Sequence, residues 1–247
     1  MWNHENKQTD DRYNYDEDLT SYDGDLITIQ ELDDALLKTK NRKATGQDGI
    51  NAELYKYGGL FLKLRLLHLY NMCWKSHKIL EDWLMAQVIS IFKGGRRDDC
   101  NNYRGISLVD TAYKVYTRII NKRLQMIAEN LISEEQSGFR KGRSCTDNTF
   151  ILKQIIEKHR EFNKETHIAF VDLEKAFDRV DRNVLWKILQ DRGYPQQLVR
   201  TVQSLYCRTK ITVKNNHKVS EAASTNQGVR QGCSMSPTLF NILYIDE

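Results

Sequence analysis

The chain has 247 residues, 40% hydrophobic and 28% charged, enough for a sizeable core and ordinary for a soluble protein. No apolar run approaches the roughly 18 residues of a membrane span, and the N-terminus lacks the basic-then-apolar layout of a secretory leader. The five cysteines and six histidines are scattered, without a Cys-x-x-Cys pair, so free thiols are expected and a structural zinc is disfavoured. These features point to a soluble protein of the nucleus or cytoplasm with no membrane partner. The net charge of +4 hides an asymmetry, since residues 1–34 hold eleven acidic and two basic residues, leaving 35 basic against 22 acidic behind them. A basic body behind an acidic tail suits a nucleic-acid binder, although a solvated Lys-rich surface gives the same count.

Residues 1 to about 25 are polar and acidic, and are expected to be a disordered lead-in. Ile29, Leu32, Ala35 and Leu36 recur at helical spacing and predict a helix to near Lys43, with Thr28 as N-cap and Glu31 completing a capping box. A glycine-punctuated loop, 44–50, precedes one long helix through Leu54, Leu62, Leu66, Leu69, Met72 and Trp74. Residues 86–92 are β-branched and read as a strand running into the basic loop 93–97. After 103–108 comes a helix holding Tyr113, Val115, Ile119, Ile120, Leu124 and Ile127. A second basic loop, 136–144, leads to a helix over about 145–162. The near-continuous apolar run 167–173 predicts a strand buried on both faces. Helices at about 182–191 and 195–207 follow, then a hairpin of 210–213 and 218–222 around Asn215-Asn216, and a helix from Ser236. Helices with a few non-alternating strands make the fold class α+β.

Asp172 ends the 167–173 run, where an ionised carboxylate is costly unless paired or metal-bound. Asp178 and Asp181 can instead open the helix that follows, a role that fits Asp181 well, Asp178 tolerably and Asp172 not at all.

Phe170-Val171-Asp172-Leu173-Glu174-Lys175-Ala176-Phe177-Asp178-Arg179-Val180 resembles the first catalytic palm motif of non-LTR (LINE-type) retrotransposon reverse transcriptases. Gln227-Gly228-Val229-Arg230-Gln231-Gly232-Cys233-Ser234-Met235-Ser236-Pro237-Thr238-Leu239-Phe240-Asn241 is similar to the second palm motif of the same family. Residues 44–50, 102–108 and 137–144 resemble its fingers motifs, in the family's order, so the likeness covers roughly 27–247. It implies a right-hand polymerase fold, with fingers at 26–165 and a partial palm at 166–247. The implied reaction is RNA-directed DNA polymerisation: deoxynucleoside triphosphates are added to a DNA primer on an RNA template, with Mg2+.

The resemblance also implies roles. Asp172 would bind both magnesium ions, helped by the Leu173 carbonyl. Phe177 would be the steric gate against a ribose 2′-hydroxyl, which argues against an RNA-dependent RNA polymerase. Gln231 and Gly232 would line the nucleotide pocket, and Lys93 and Arg104 would reach the triphosphate. Arg96, Arg97, Arg140, Lys141 and Arg143 would meet template or primer phosphates. Each has a plainer alternative: core packing for Phe177, an ordinary loop lysine at Lys93, solubility for the basic loops. Asp48 faces the template or shapes a turn, and the turn is favoured.

Two magnesium ions about 4 Å apart need several carboxylates. In this family the others come from an aromatic-x-Asp-Asp hairpin downstream of the second palm motif. Asp10-Asp11, Asp33-Asp34 and Asp98-Asp99 all lie upstream, and Asp246 stands nine residues after Pro237, inside the helix expected there. The chain is therefore expected to stop short of that motif, to be incomplete at its C-terminal side, and to have little or no activity alone. A domesticated, non-catalytic RNA- or DNA-binding remnant is the alternative; a protein-interaction scaffold or a fragment not stable by itself stands behind it.

Overall fold

The computed structural model describes residues 25–215 and 218–244; the acidic lead-in up to residue 24, Asn216 of the hairpin and the placement of Asp246 lie outside them. Helix α1 (Ile29–Leu37) starts at the capping box read from the sequence: Glu31 N donates to Thr28 Oγ1, and Thr28 N donates to the Glu31 carboxylate. It stops short of Lys43, because 38–43 offers no apolar residue to bury.

The single helix expected through 54–74 is two, α2 (Ala52–Tyr57) and α3 (Gly59–Ser76). The chain turns at the glycine pair between them: Gly59 has φ +78°, and a Cβ on Gly58 would stand 2.5 Å from Leu54 O. A short α4 (Glu81–Leu84) then feeds β1 (Met85–Phe92).

Strand β1 is the middle of the sheet. On one side it pairs antiparallel with β2 (Tyr103–Leu108), Gln87 opposite Leu108 and Phe92 opposite Tyr103. On the other it pairs in parallel with β3 (Lys210–Asn215), Met85 opposite Lys210. The return of the expected hairpin is split into β4 (Lys218–Val219) and β5 (Ala223–Ser224), both antiparallel to β3. Strand order is β2-β1-β3-β4, with β5 also on β3.

Helix α5 (Thr111–Ala128) runs through the core. Tyr113, Tyr116, Ile119, Ile120 and Leu124 are almost wholly buried, and α1 packs on it together with α8 (Gln196–Tyr206) and α9 (Ser236–Leu243). Tyr70, Trp83, Tyr113 and Tyr116 meet edge-on or tilted, with centroids 5.1 to 6.2 Å apart. Pairs like these add about 0.5–1.5 kcal/mol each beyond the area they bury. Helix α6 (Cys145–Glu161) has no buried residue, whereas α7 (Arg182–Asp191) packs on α8 and α9. All five cysteines are free. Among the described residues, helices beside one five-stranded mixed sheet make this a mixed α and β fold. Among the described residues no helix is long and apolar enough to cross a membrane.

One expected element does not form. Residues 167–173 pair with no strand of the described sheet, and Phe170 and Val171 are 86% and 87% exposed instead of doubly buried. An apolar run becomes a strand by exchanging hydrogen bonds with a neighbouring strand, and none of the described strands borders this one.

Candidate nucleotide and nucleic-acid site

Three segments far apart in the chain are stitched together by backbone hydrogen bonds. Val229 N donates to Phe177 O at 2.8 Å, Gly228 N to Val180 O at 2.9 Å and Ser107 N to Gln231 O at 3.0 Å. The Gln231 side-chain amide also donates to Asp178 Oδ1 at 3.0 Å, and Lys175 Nζ reaches Asn101 Oδ1 at 2.9 Å. Strand β2, the stretch 175–180 and the stretch 228–232 therefore form one surface. Glycine makes the approach possible: Gly228 (φ +80°) and Gly232 (φ +108°) would each push a Cβ to within 2.9 Å of a backbone oxygen, of Asp178 and Ser107 respectively.

Two buried arginines hold this surface in place. Arg182, the first residue of α7, donates from Nε to Gly228 O at 2.8 Å, from Nη1 to Thr225 O at 2.8 Å and Tyr206 O at 3.0 Å, and from Nη2 to Gln227 O at 3.1 Å. Arg230 donates to Trp83 O and Leu84 O, both at 2.7 Å, and lies over the Tyr113 ring at 5.0 Å. It thereby fastens the stretch 228–232 to the point where α4 becomes β1. Burial pushes the Tyr113 and Tyr206 phenols well above their usual range, so both stay neutral beside the guanidinium groups. Neither arginine's role was legible in the sequence. For Arg182 alone placement was a signal, since a cation in a helix's first turn opposes the helix dipole and so serves some other contact.

The residues singled out from sequence are distributed unevenly. Gln231 and Gly232 sit at the convergence. Phe177 is half-buried, stacked on Phe240 (5.1 Å, 27°) and nearly perpendicular to Phe139 (6.2 Å, 82°). Arg104 is exposed on β2 opposite Ile91. Lys93 is exposed at the end of β1, where its N–H closes the hairpin on Asn102 O at 2.8 Å. Arg96 pairs with Asp98 at 2.6 Å, and Arg97 lies over the Phe92 ring at 5.6 Å. Lys141 is exposed, and Arg143 pairs with Glu134.

Arg140, expected to face nucleic-acid phosphates, turns inward. Its side chain is 3% exposed and pairs with Glu129 at 2.7 Å, while Nη1 donates to Ser133 O at 2.5 Å and Gln136 O at 3.2 Å. Four of the five guanidinium N–H groups are thus spent on the Glu129 carboxylate and two loop carbonyls, so this buried side chain holds the loop together and does not face outward to a phosphate. Asp48 takes the turn role, accepting from Ile50 N at 3.0 Å. Asp181 caps α7, accepting from Asn183 N and Val184 N.

Asp172 is exposed, on the unpaired stretch 167–173, and makes no part of the convergence. Among the described residues no three Asp, Glu, His or Cys side chains gather as a metal site would require. One carboxylate with the Leu173 carbonyl does not fit a pair of magnesium ions, which need several anionic oxygens to hold them.

The family model described as reverse transcriptase (RNA-dependent DNA polymerase) matches residues 91–246. The transposon TX1 uncharacterized 149 kDa protein of Xenopus laevis is 28% identical over 216 residues, 87% of this chain and 16% of that protein. The probable RNA-directed DNA polymerase from transposon BS of Drosophila melanogaster is 25% identical over 223 residues, 89% of this chain and 24% of that protein. The RNA-directed DNA polymerase from mobile element jockey of Drosophila funebris is 25% identical over 225 residues, 90% and 24%. The chain thus spans between 16% and 24% of the length of these relatives. With the family match covering more than half of it, the chain belongs to the reverse transcriptase (RNA-dependent DNA polymerase) family, on its non-LTR retrotransposon side.

Proposed function

We propose that these residues form the fingers, over 26–165, and the first part of the palm, over 166–247, of a right-hand polymerase that copies an RNA template into DNA from a DNA primer. The observation that carries this reading is the convergence at Ser107, Phe177 and Gln231, which sets β2 and both palm-like motifs on one surface. There Gln231 and Gly232 line the pocket for an incoming deoxynucleoside triphosphate, and Phe177 stands against a ribose 2′-hydroxyl. Arg104 and Lys93 supply positive charge to the triphosphate. Asp172 would supply one carboxylate toward magnesium, and by itself it does not fit the ion pair that such a polymerase uses. Among the described residues no group of carboxylates gathers to hold the ions, and on this reading these residues by themselves do not extend primers.

The test has two readouts. Purified chain is given RNA template, DNA primer, Mg2+ and deoxynucleotides, alongside Asp172→Ala; no extension by either protein is expected, and extension abolished by the substitution would overturn the claim of inactivity. Equilibrium binding of dTTP and UTP is measured in parallel. Preference for dTTP, lost in Phe177→Ala, supports the nucleotide pocket, whereas equal or absent binding removes it. The exposure of Asp172 favours a second reading, a non-catalytic RNA- or DNA-binding unit in the nucleus or cytoplasm. A salt-sensitive gel shift without nucleotide preference is its signature.

A further inference from the structure

The loop between α5 and α6 is fixed from several sides. Arg140 binds it from within, Asn241 Nδ2 donates to Gly138 O at 2.8 Å from α9, and Ser137 Oγ donates to Asn148 Oδ1 at 2.8 Å from α6. Between these anchors Phe139 has φ +59°, a conformation that bulky L-residues rarely adopt. Its ring is 61% exposed. Core packing does not account for a strained backbone that presents a large ring to solvent, and strain kept in place by its surroundings marks positions where the presented group is used.

The ring is also the outermost of a row. Phe139 meets Phe177 at 6.2 Å, Phe177 stacks on Phe240 at 5.1 Å, and Phe240 lies 4.7 Å from Tyr244 on the far side. Phe139 therefore extends the aromatic wall of the proposed sugar gate outward. Two residues on, Lys141 is exposed, and behind the first 34 residues the chain carries 35 basic against 22 acidic side chains. An exposed aromatic ring with an exposed lysine two residues along the same anchored loop suits single-stranded nucleic acid, whose base stacks on the ring while its phosphate meets the charge.

We propose that Phe139 is a stacking platform for an unpaired base of a nucleic-acid strand passing Phe177, with Lys141 taking that strand's phosphate. The proposal rests on the reading of this face as the nucleic-acid side and adds to it a residue and a mode of contact.

The experiment is fluorescence anisotropy of a labelled single-stranded oligonucleotide with the purified chain at fixed salt. Phe139→Ala should weaken binding by about fivefold to a hundredfold, the range that base–aromatic stacking carries, and Phe139→Trp should restore it. Phe139→Gly separates stacking from folding. Glycine accepts φ +59° without strain, so its melting temperature should be no lower while its binding falls as for alanine. An oligonucleotide made abasic along its length should bind the wild type weakly and respond no further to Phe139→Ala. Wild-type affinity in Phe139→Ala, with the strand still bound, would overturn the platform and leave the nucleic-acid reading standing. Failure of the wild type to bind any strand would overturn both.

Discussion

At position 182 a guanidinium occupies a helix's first turn, where a carboxylate would be the favourable charge. It stays because the carbonyls of Tyr206, Thr225, Gln227 and Gly228 all point at it. Each carbonyl left buried without a donor costs about 1–3 kcal/mol, so Arg182→Leu should remove about 3 kcal/mol or more from the unfolding free energy in urea denaturation. Arg182→Lys keeps the charge, but an ammonium cannot span the fork of acceptors and should recover only part of the loss. Arg96 is the contrast. Its ion pair with Asp98 is open to water on both sides, and Arg96→Ala should leave the melting temperature unchanged. Sequence makes these two arginines look alike; which one turns inward is decided by where four carbonyls of other segments end up.

Helix α1 shows the same logic one level up. Glu31 caps its own helix and pairs through both oxygens with Arg123 of α5, at 2.8 Å each. Burial alone would raise the Glu31 pKa, but the Arg123 hydrogen bonds and the Thr28 cap outweigh it and hold the carboxyl below the ordinary range of a glutamate. The stabilisation is therefore complete above that range and is lost as pH falls through the lowered value. Glu31→Gln should cost about 1–3 kcal/mol at neutral pH, and its thermal stability should fall less than the wild type's on acidification, as followed by circular dichroism melts. The cap of α1 was legible because it is local, and so were β1, α5, α7 and α8, whose periodicity or branching lies within a single window. Strand β2 was not legible. It carries Gly105 in its middle, with Val88 pressed against it, and only pairing with β1 makes it a strand. The run 167–173 failed for the opposite reason, since its composition promises burial and the described sheet lends it no edge. In the site, Gln231 and Gly232 could be singled out because they stand in a stretch that resembles the family's second palm motif, whereas the inward turn of Arg140 depends on Glu129 and the carbonyls of 133 and 136.

Across the whole molecule stability is distributed unevenly. Helix α5 is sealed on several sides, while α6 buries none of its residues and leaves Phe150 and Ile151 at 62% and 55% exposure, with its C-cap Phe162 at 70%. Opening free energies follow such differences in packing. Hydrogen exchange should therefore leave the α5 amides protected longest and release those of 145–173 well before global unfolding; uniform protection across both would contradict this account. The central strand carries a different consequence, one that belongs to synthesis. β1 finds one neighbour across the short 93–102 turn, but its parallel partner lies roughly 125 residues later. A ribosome adding about 5–20 residues per second leaves that edge of β1 open for on the order of ten seconds. During that interval nascent chains on neighbouring ribosomes can pair along the open edge, so the yield of folded protein depends on how closely the ribosomes are spaced along the message and on what shields the strand until Lys210 emerges.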